Sequence, residues 1–297
     1  MGRLKKYEFT GETREIDDYN RTVLKRIRAV RDFGKVKAGE IGGWIESEKN
    51  LSQEGKAWVA EEAWVSGNAV VEENARVAGR TWISEEALVK GEAVVTERAR
   101  ISGEVRICGR VLINGEVEIS QKACIFGEAR VRGKARISGK ARVFGKARVR
   151  GKAQICGETY VSGEARVSGK TWISGEACVS GETCVSGEAH ISERVGIKGK
   201  AEIADNNSHL YISPIGSRDD SVFFYRDKEK GIMVNCGCFE GSLEKFQEKV
   251  KETHGDNKHA AYRMAVELAK LRIPVKGTAE PQEPDGEEDA ECLQTKL

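Results

Sequence analysis

Gly133-Lys134-Ala135-Arg136-Ile137-Ser138-Gly139-Lys140-Ala141-Arg142-Val143-Phe144-Gly145-Lys146-Ala147-Arg148-Val149-Arg150 is one six-residue phrase written three times. Working outward from it, the aliphatic of each phrase recurs at every sixth position from Val59 to Ile203, and all 25 such positions are Val or Ile. Two residues before each stands Ala, Thr or Val, again without exception. Ala-x-Val reads as a three-residue strand whose first and third side chains point inward and whose middle one points out. The Gly two places after the aliphatic suits a corner. Where Gly is absent, a polar residue such as Glu73, Glu85, Glu97, Gln121 or Glu193 stands there. Three phrases close a triangular coil, so residue i lies above residue i+18, and the periodicity predicts about eight coils rising about 4.8 Å each. The expected class is mainly β, a three-sided parallel β-helix.

Flanking segments lack the period. Residues 1–54 carry strand-like runs such as Val23-Leu24-Lys25-Arg26-Ile27 and are expected to cap the open end of the solenoid, which occupies 55–204. Residues 205–273 read as three short strands and two helices, the first helix opening at Ser242, a good N-cap. Residues 274–297 are acidic and poor in apolar side chains (Glu283, Asp285, Glu287, Glu288, Asp289), the signature of a disordered tail.

Aliphatic, Gly two on, then a small residue two further on resembles the hexapeptide signature of left-handed parallel β-helices, best known in acyltransferase families. The resemblance, not the periodicity, implies the left hand. Val36-Lys37-Ala38-Gly39, Gly42-Gly43-Trp44-Ile45, Asn50-Leu51-Ser52-Gln53 and Trp58-Val59 are similar to the opening of YdcK-like bacterial and prophage β-helix proteins. Ile215-Gly216-Ser217-Arg218 and Cys236-Gly237-Cys238-Phe239-Glu240-Gly241-Ser242-Leu243 resemble a small phage-borne domain of unknown function.

Across 297 residues the charge is high but balanced, at a net +2, so a charge argument has to be local. The eight cysteines are scattered, and Cys236-Gly237-Cys238 has no second pair, so reduced thiols, no metal site and a cytoplasmic setting are expected. The first residues lack an apolar signal core, and no run is long enough to span a membrane. No Gly-x-x-x-x-Gly-Lys-Ser/Thr loop occurs, and no cofactor is expected.

Acyltransferases on this helix use a histidine base in a cleft. Here the repeat runs without insertion, and its one histidine, His190, falls at an outward strand position. That makes it a weak catalytic candidate, because a base needs a pocket and an orienting partner. Two outer-surface features carry more. The first is a basic belt: Arg130, Arg132, Lys134, Arg136, Arg142, Lys146, Arg148, Arg150 and Lys152, with Arg166 stacked below Arg148 by the coil arithmetic. Stacked like charges repel, which an anionic partner (nucleic acid or an acidic or host protein) would relieve. Counterions, the Glu-rich stretch that follows, or head-to-tail contact between molecules would relieve them too. The second is an apolar run at outward positions, Trp58, Trp64, Val70, Trp82, Leu88, Val94 and Leu112, expected to be covered by the N-terminal segment or by self-association as a dimer or trimer. The leading expectation is a non-enzymatic scaffold, phage- or prophage-encoded; the alternative is a divergent acyltransferase taking acyl-CoA at a subunit interface.

Overall fold

The computed structural model describes residues 5–16, 21–216, 220–253 and 256–274. The acidic stretch therefore lies outside the described residues from 275 onward. The chain begins with strands β1 (Tyr7–Ile16), β2 (Thr22–Ala29) and β3 (Ile41–Ile45). Twenty-five short strands follow, from β4 (Trp58–Val59) to β28 (Glu202–Ile203). With three strands to the coil they build a parallel β-solenoid of about nine turns once β3 is counted. The register is constant: Arg130 pairs with Arg148 and Val131 with Val149, eighteen residues apart, and the same offset holds along each face. The inward aliphatics from Val59 to Ile203 are at most 1% exposed and form one continuous apolar column. Removing that much aliphatic surface from water is what lets a strongly charged sequence fold.

The strands fall on three sheets, called here the first, second and third faces. Outward residues of the first include Trp64, Trp82, Arg136, Trp172 and His190; of the second, Trp58, Leu112, Arg130, Arg148 and Arg166; of the third, Val70, Leu88, Arg142 and Tyr160. Corners are tight. At Gly157, with φ +77°, an added Cβ would sit 2.5 Å from the carbonyl oxygen of Gly175 in the next coil. Six solenoid corners nevertheless hold Glu or Gln at positive φ, Glu61 and Glu73 among them. Several of these side chains offset the strain locally. The Oε2 of Glu61 accepts from the Gly79 amide at 2.6 Å, Glu73 from Gly91 at 3.0 Å, and the Oε1 of Gln121 from Gly139 at 2.8 Å. Each long polar side chain reaches the corner one coil on.

Both ends are closed. β1 and β2 extend the first face as an antiparallel hairpin, and β3 stacks on the strand of Trp64 with an offset of twenty residues, two more than the repeat uses. Fully buried Lys6 donates from Nζ to the carbonyls of Ala57 (2.8 Å) and Glu54 (3.2 Å), above the Phe33 ring. Burial, and then the charge of Arg31, push its pKa down to about 8. Tyr7 donates its hydroxyl to the Leu51 carbonyl at 2.8 Å.

At the other end lie β29 (His209–Ile215), β30 (Asp220–Asp227), β31 (Gly231–Cys236), β32 (Phe239–Ser242), α1 (Leu243–Thr253) and α2 (Asp256–Arg272). The sheet is buried on both sides, which explains the unbroken run Val222-Phe223-Phe224-Tyr225. Phe223 and Tyr225 pack onto the solenoid column, while Val222 and Phe224 pack against the helices. An Arg226–Glu202 ion pair and the Lys200 amide on Asp227 Oδ2 (3.0 Å) pin the sheet to the last coil. The fourth strand was not expected; Cys236-Gly237-Cys238 supplies its turn, with Gly237 at φ +56°.

Candidate functional site

The ten belt cations do not form one site. Arg142 lies on the third face, its guanidinium 5.5 Å from the Tyr160 ring, and Lys146 stands at a corner 3.3 Å from Glu164. Lys134 and Arg136 reach the corner and the first face, where Glu116 (2.9 Å) and Glu118 (3.0 Å) take them up. Pairs one coil apart recur along the corners: Lys122–Glu104 at 2.9 Å, Lys140–Glu158 at 2.6 Å, Lys170–Glu188 at 2.7 Å. The Glu-rich stretch after the belt thus neutralises corner lysines.

It does not reach the second face. There Arg130, Arg148 and Arg166 stand in register on three successive coils, with Arg132 beside Arg130 and Arg150 beside Arg148. Among the described residues none of these five guanidiniums pairs with a carboxylate, and neither does Lys152 at the adjoining corner. Arg130, Arg148 and Arg166 are exposed, and Arg132 and Arg150 half-buried. Partial desolvation of the guanidinium by its neighbours, followed by the charges of Arg130, Arg166, Arg132 and Arg150, holds exposed Arg148 below its usual pKa. The strands set this geometry: rows about 4.8 Å apart, with about 6.6 Å between outward positions along a row. Chemically it is a flat lattice of hydrogen-bond forks suited to phosphate, sulfate or carboxylate.

A second basic feature escaped the sequence reading. A groove of about 700 Å³ on the first face is lined by Arg80, Arg98, Arg100, Lys134, Arg136 and Lys152, with Glu116, Glu118 and Gln154. The signal was available, since 80, 98, 116, 134 and 152 are eighteen apart. Its charge is largely spent internally: Glu116 lies between Arg98 (3.7 Å) and Lys134, and Glu118 between Arg100 (3.9 Å) and Arg136.

The apolar outward residues divide. Trp58 is 1% exposed: of the two covers expected for it, the N-terminal segment supplies one, with Phe33 packed edge-on against it at 5.4 Å and Gly42 closing over it. Trp64, Trp82, Val70, Leu88, Val94 and Leu112 are half-buried. Trp64 and Trp82 stack at 4.8 Å, each shielding the other, while Trp44 beside them is covered by Arg14 and Arg26. The most exposed tryptophan is Trp172, at 46%, far from that end.

His190 stacks on Trp172 at 5.1 Å and is exposed on the flat first face. Its backbone amide donates to Asn206 Oδ1 at 2.8 Å, and among the described residues no hydrogen bond orients its ring. No group of three or more potential metal ligands occurs among the described residues. None of their helices is long and apolar enough to cross a membrane.

No family model matches the chain. It is 34% identical over 79 residues to a protein of Escherichia coli strain K12 described as the uncharacterised acetyltransferase YdcK. That stretch is 25% of this chain and 24% of the other, so the chain spans about a quarter of its relative. This similarity and the parallel solenoid together fit a hexapeptide-repeat β-helix protein.

Proposed function

We propose that the protein is a non-enzymatic binding scaffold whose second face holds an extended anionic polymer. The observation that carries this is the array of five arginines, in register on three coils, with no carboxylate partner among the described residues. Such an array costs self-repulsion when bare and releases counterions when a polyanion covers it. A phage or prophage origin belongs to the proposal and rests on the N-terminal and C-terminal resemblances alone. Self-association through the half-buried Trp64, Trp82, Val70 and Leu88 is a further part of it, read by light scattering of wild type against Trp82→Glu. The test of the main reading is retention on a heparin or oligonucleotide matrix, eluted by salt. Wild type is retained, and Arg130→Gln/Arg148→Gln/Arg166→Gln elutes early; equal elution refutes the role of the face.

A second reading, acyl transfer, is favoured by the similarity to YdcK. It needs His190 to sit in a cleft that another subunit would complete. Calorimetry with acetyl-CoA decides: heat of binding that His190→Ala leaves intact, with turnover lost, supports it, and no heat refutes it.

A further inference from the structure

Beyond the described residues the sequence places an acid at every second position: Glu283, Asp285, Glu287, Asp289 and Glu291. In an extended chain, alternate side chains share one side and lie about 6.6 Å apart. The second face offers the same period. Arg130 and Arg132 form one row and Arg148 and Arg150 the next, each at a two-residue step along a coil, and Lys152 follows past the Gly151 corner, where φ is +71°. Two successive acids of the segment match one row in sign and spacing, and the face offers two such rows.

Reach is adequate. α2 ends at Arg272, whose Nη2 lies 3.4 Å from the Asn206 carbonyl; Asn206 in turn binds the His190 amide. Lys152 shares its coil with Gln154, and Gln154 is separated from His190 by two register steps, through Trp172. That is about 10 Å along the axis, plus one corner. The nine residues from 275 to 283 span up to about 30 Å.

We propose that the acidic segment 283–291 of this chain docks in cis on the arginine face, as an internal competitor for any other polyanion. The face is the one in the proposed function, yet the docking stands without that reading. Each exposed pair is worth little alone, but the tether raises the effective concentration of the segment to the millimolar range. A polyanion must displace it, so the tail sets a threshold of affinity; salt loosens both contacts, and net polyanion binding is therefore less salt-dependent than binding to the bare face.

The test uses the full chain and zero-length carbodiimide coupling, which joins a carboxylate to a lysine amine. Peptide mapping is expected to find residues 283–291 joined to Lys152 and Lys134 at low ionic strength. The links should vanish at high salt and in Arg130→Gln/Arg148→Gln/Arg150→Gln. Links spread evenly over surface lysines, or unchanged in that variant, overturn the proposal. So do links that join light to heavy chains in an isotope-mixed sample, which place the segment on a second copy. A second readout is anisotropy of a fluorescent oligothymidylate. Neutralising the segment (Glu283→Gln, Asp285→Asn, Glu287→Gln, Asp289→Asn, Glu291→Gln) should tighten its binding about tenfold. Equal binding by both proteins, without the links, sinks the docking and leaves the polyanion reading standing. The expected links with no oligonucleotide binding by either protein sustain the docking and remove the polyanion reading.

Discussion

Arg130 and Arg148 are register partners in neighbouring parallel strands, and among the described residues no carboxylate pairs with either. Elsewhere on this solenoid the same eighteen-residue step sets opposite charges together, as in Lys140 with Glu158. The exception marks the surface to which a function is assigned. Removing the repulsion has a measurable sign. Arg148→Gln should raise stability at low salt by on the order of 0.5 kcal/mol while weakening polyanion binding. A variant that is destabilised, or binds unchanged, contradicts the account. Denaturant midpoints at low and high salt provide the check, because screening should erase the gain.

The inward column is the most demanding part of the fold. Val143 is fully buried between Ile125 and Val161. Val143→Asp places a carboxylate there without a partner, and the expected loss exceeds about 4 kcal/mol, opening several coils. The neighbouring outward change Arg142→Asp should stay within about 1 kcal/mol. Thermal unfolding followed by circular dichroism compares the two.

Corners make a second stability test. Gly157→Ala combines a positive φ with a Cβ 2.5 Å from the Gly175 carbonyl oxygen, and should cost roughly 2–4 kcal/mol. Glu73→Gly relaxes the backbone but forfeits the bond to the Gly91 amide, so the net change should stay within about 1 kcal/mol. A tolerated alanine at 157 would show that the coils can separate locally.

The N-terminal cap carries a pH signature. Lys6 is pushed from 10.5 down to about 8, so between these values the unfolded chain binds the proton more tightly than the folded one. Stability should therefore rise with pH from about 8. Tyr225, buried and pushed up to about 12, acts oppositely: the unfolded chain loses that proton first, and stability falls again above the usual tyrosine value of 10.0. Lys6→Met should flatten the rising limb, at a cost of about 1–3 kcal/mol for the stranded Glu54 and Ala57 carbonyls. Denaturant titrations at stepped pH read both limbs.

The solenoid was legible because its one rule, an aliphatic every sixth residue from Val59 to Ile203, is local and repeated. The joins were not. β3 enters with an offset of twenty, and Trp58 lies under Phe33, because contacts between non-repeating segments leave no period to read. The arginine columns followed from the coil arithmetic. Their isolation did not, since it depends on which direction Glu116, Glu118 and Glu164 turn. The same arithmetic held the corner pairs and the first-face groove, where charge cancels.

Salt dependence of oligothymidylate binding tests the central claim most directly. If five arginines meet the polymer, the logarithm of affinity of the protein with segment 283–291 neutralised should fall against the logarithm of salt with a slope of about −3.5. Arg130→Gln/Arg148→Gln/Arg166→Gln should lower the steepness by about 2. A slope near zero in that protein, or a slope that the triple change on it leaves unaltered, would contradict the assignment of the second face.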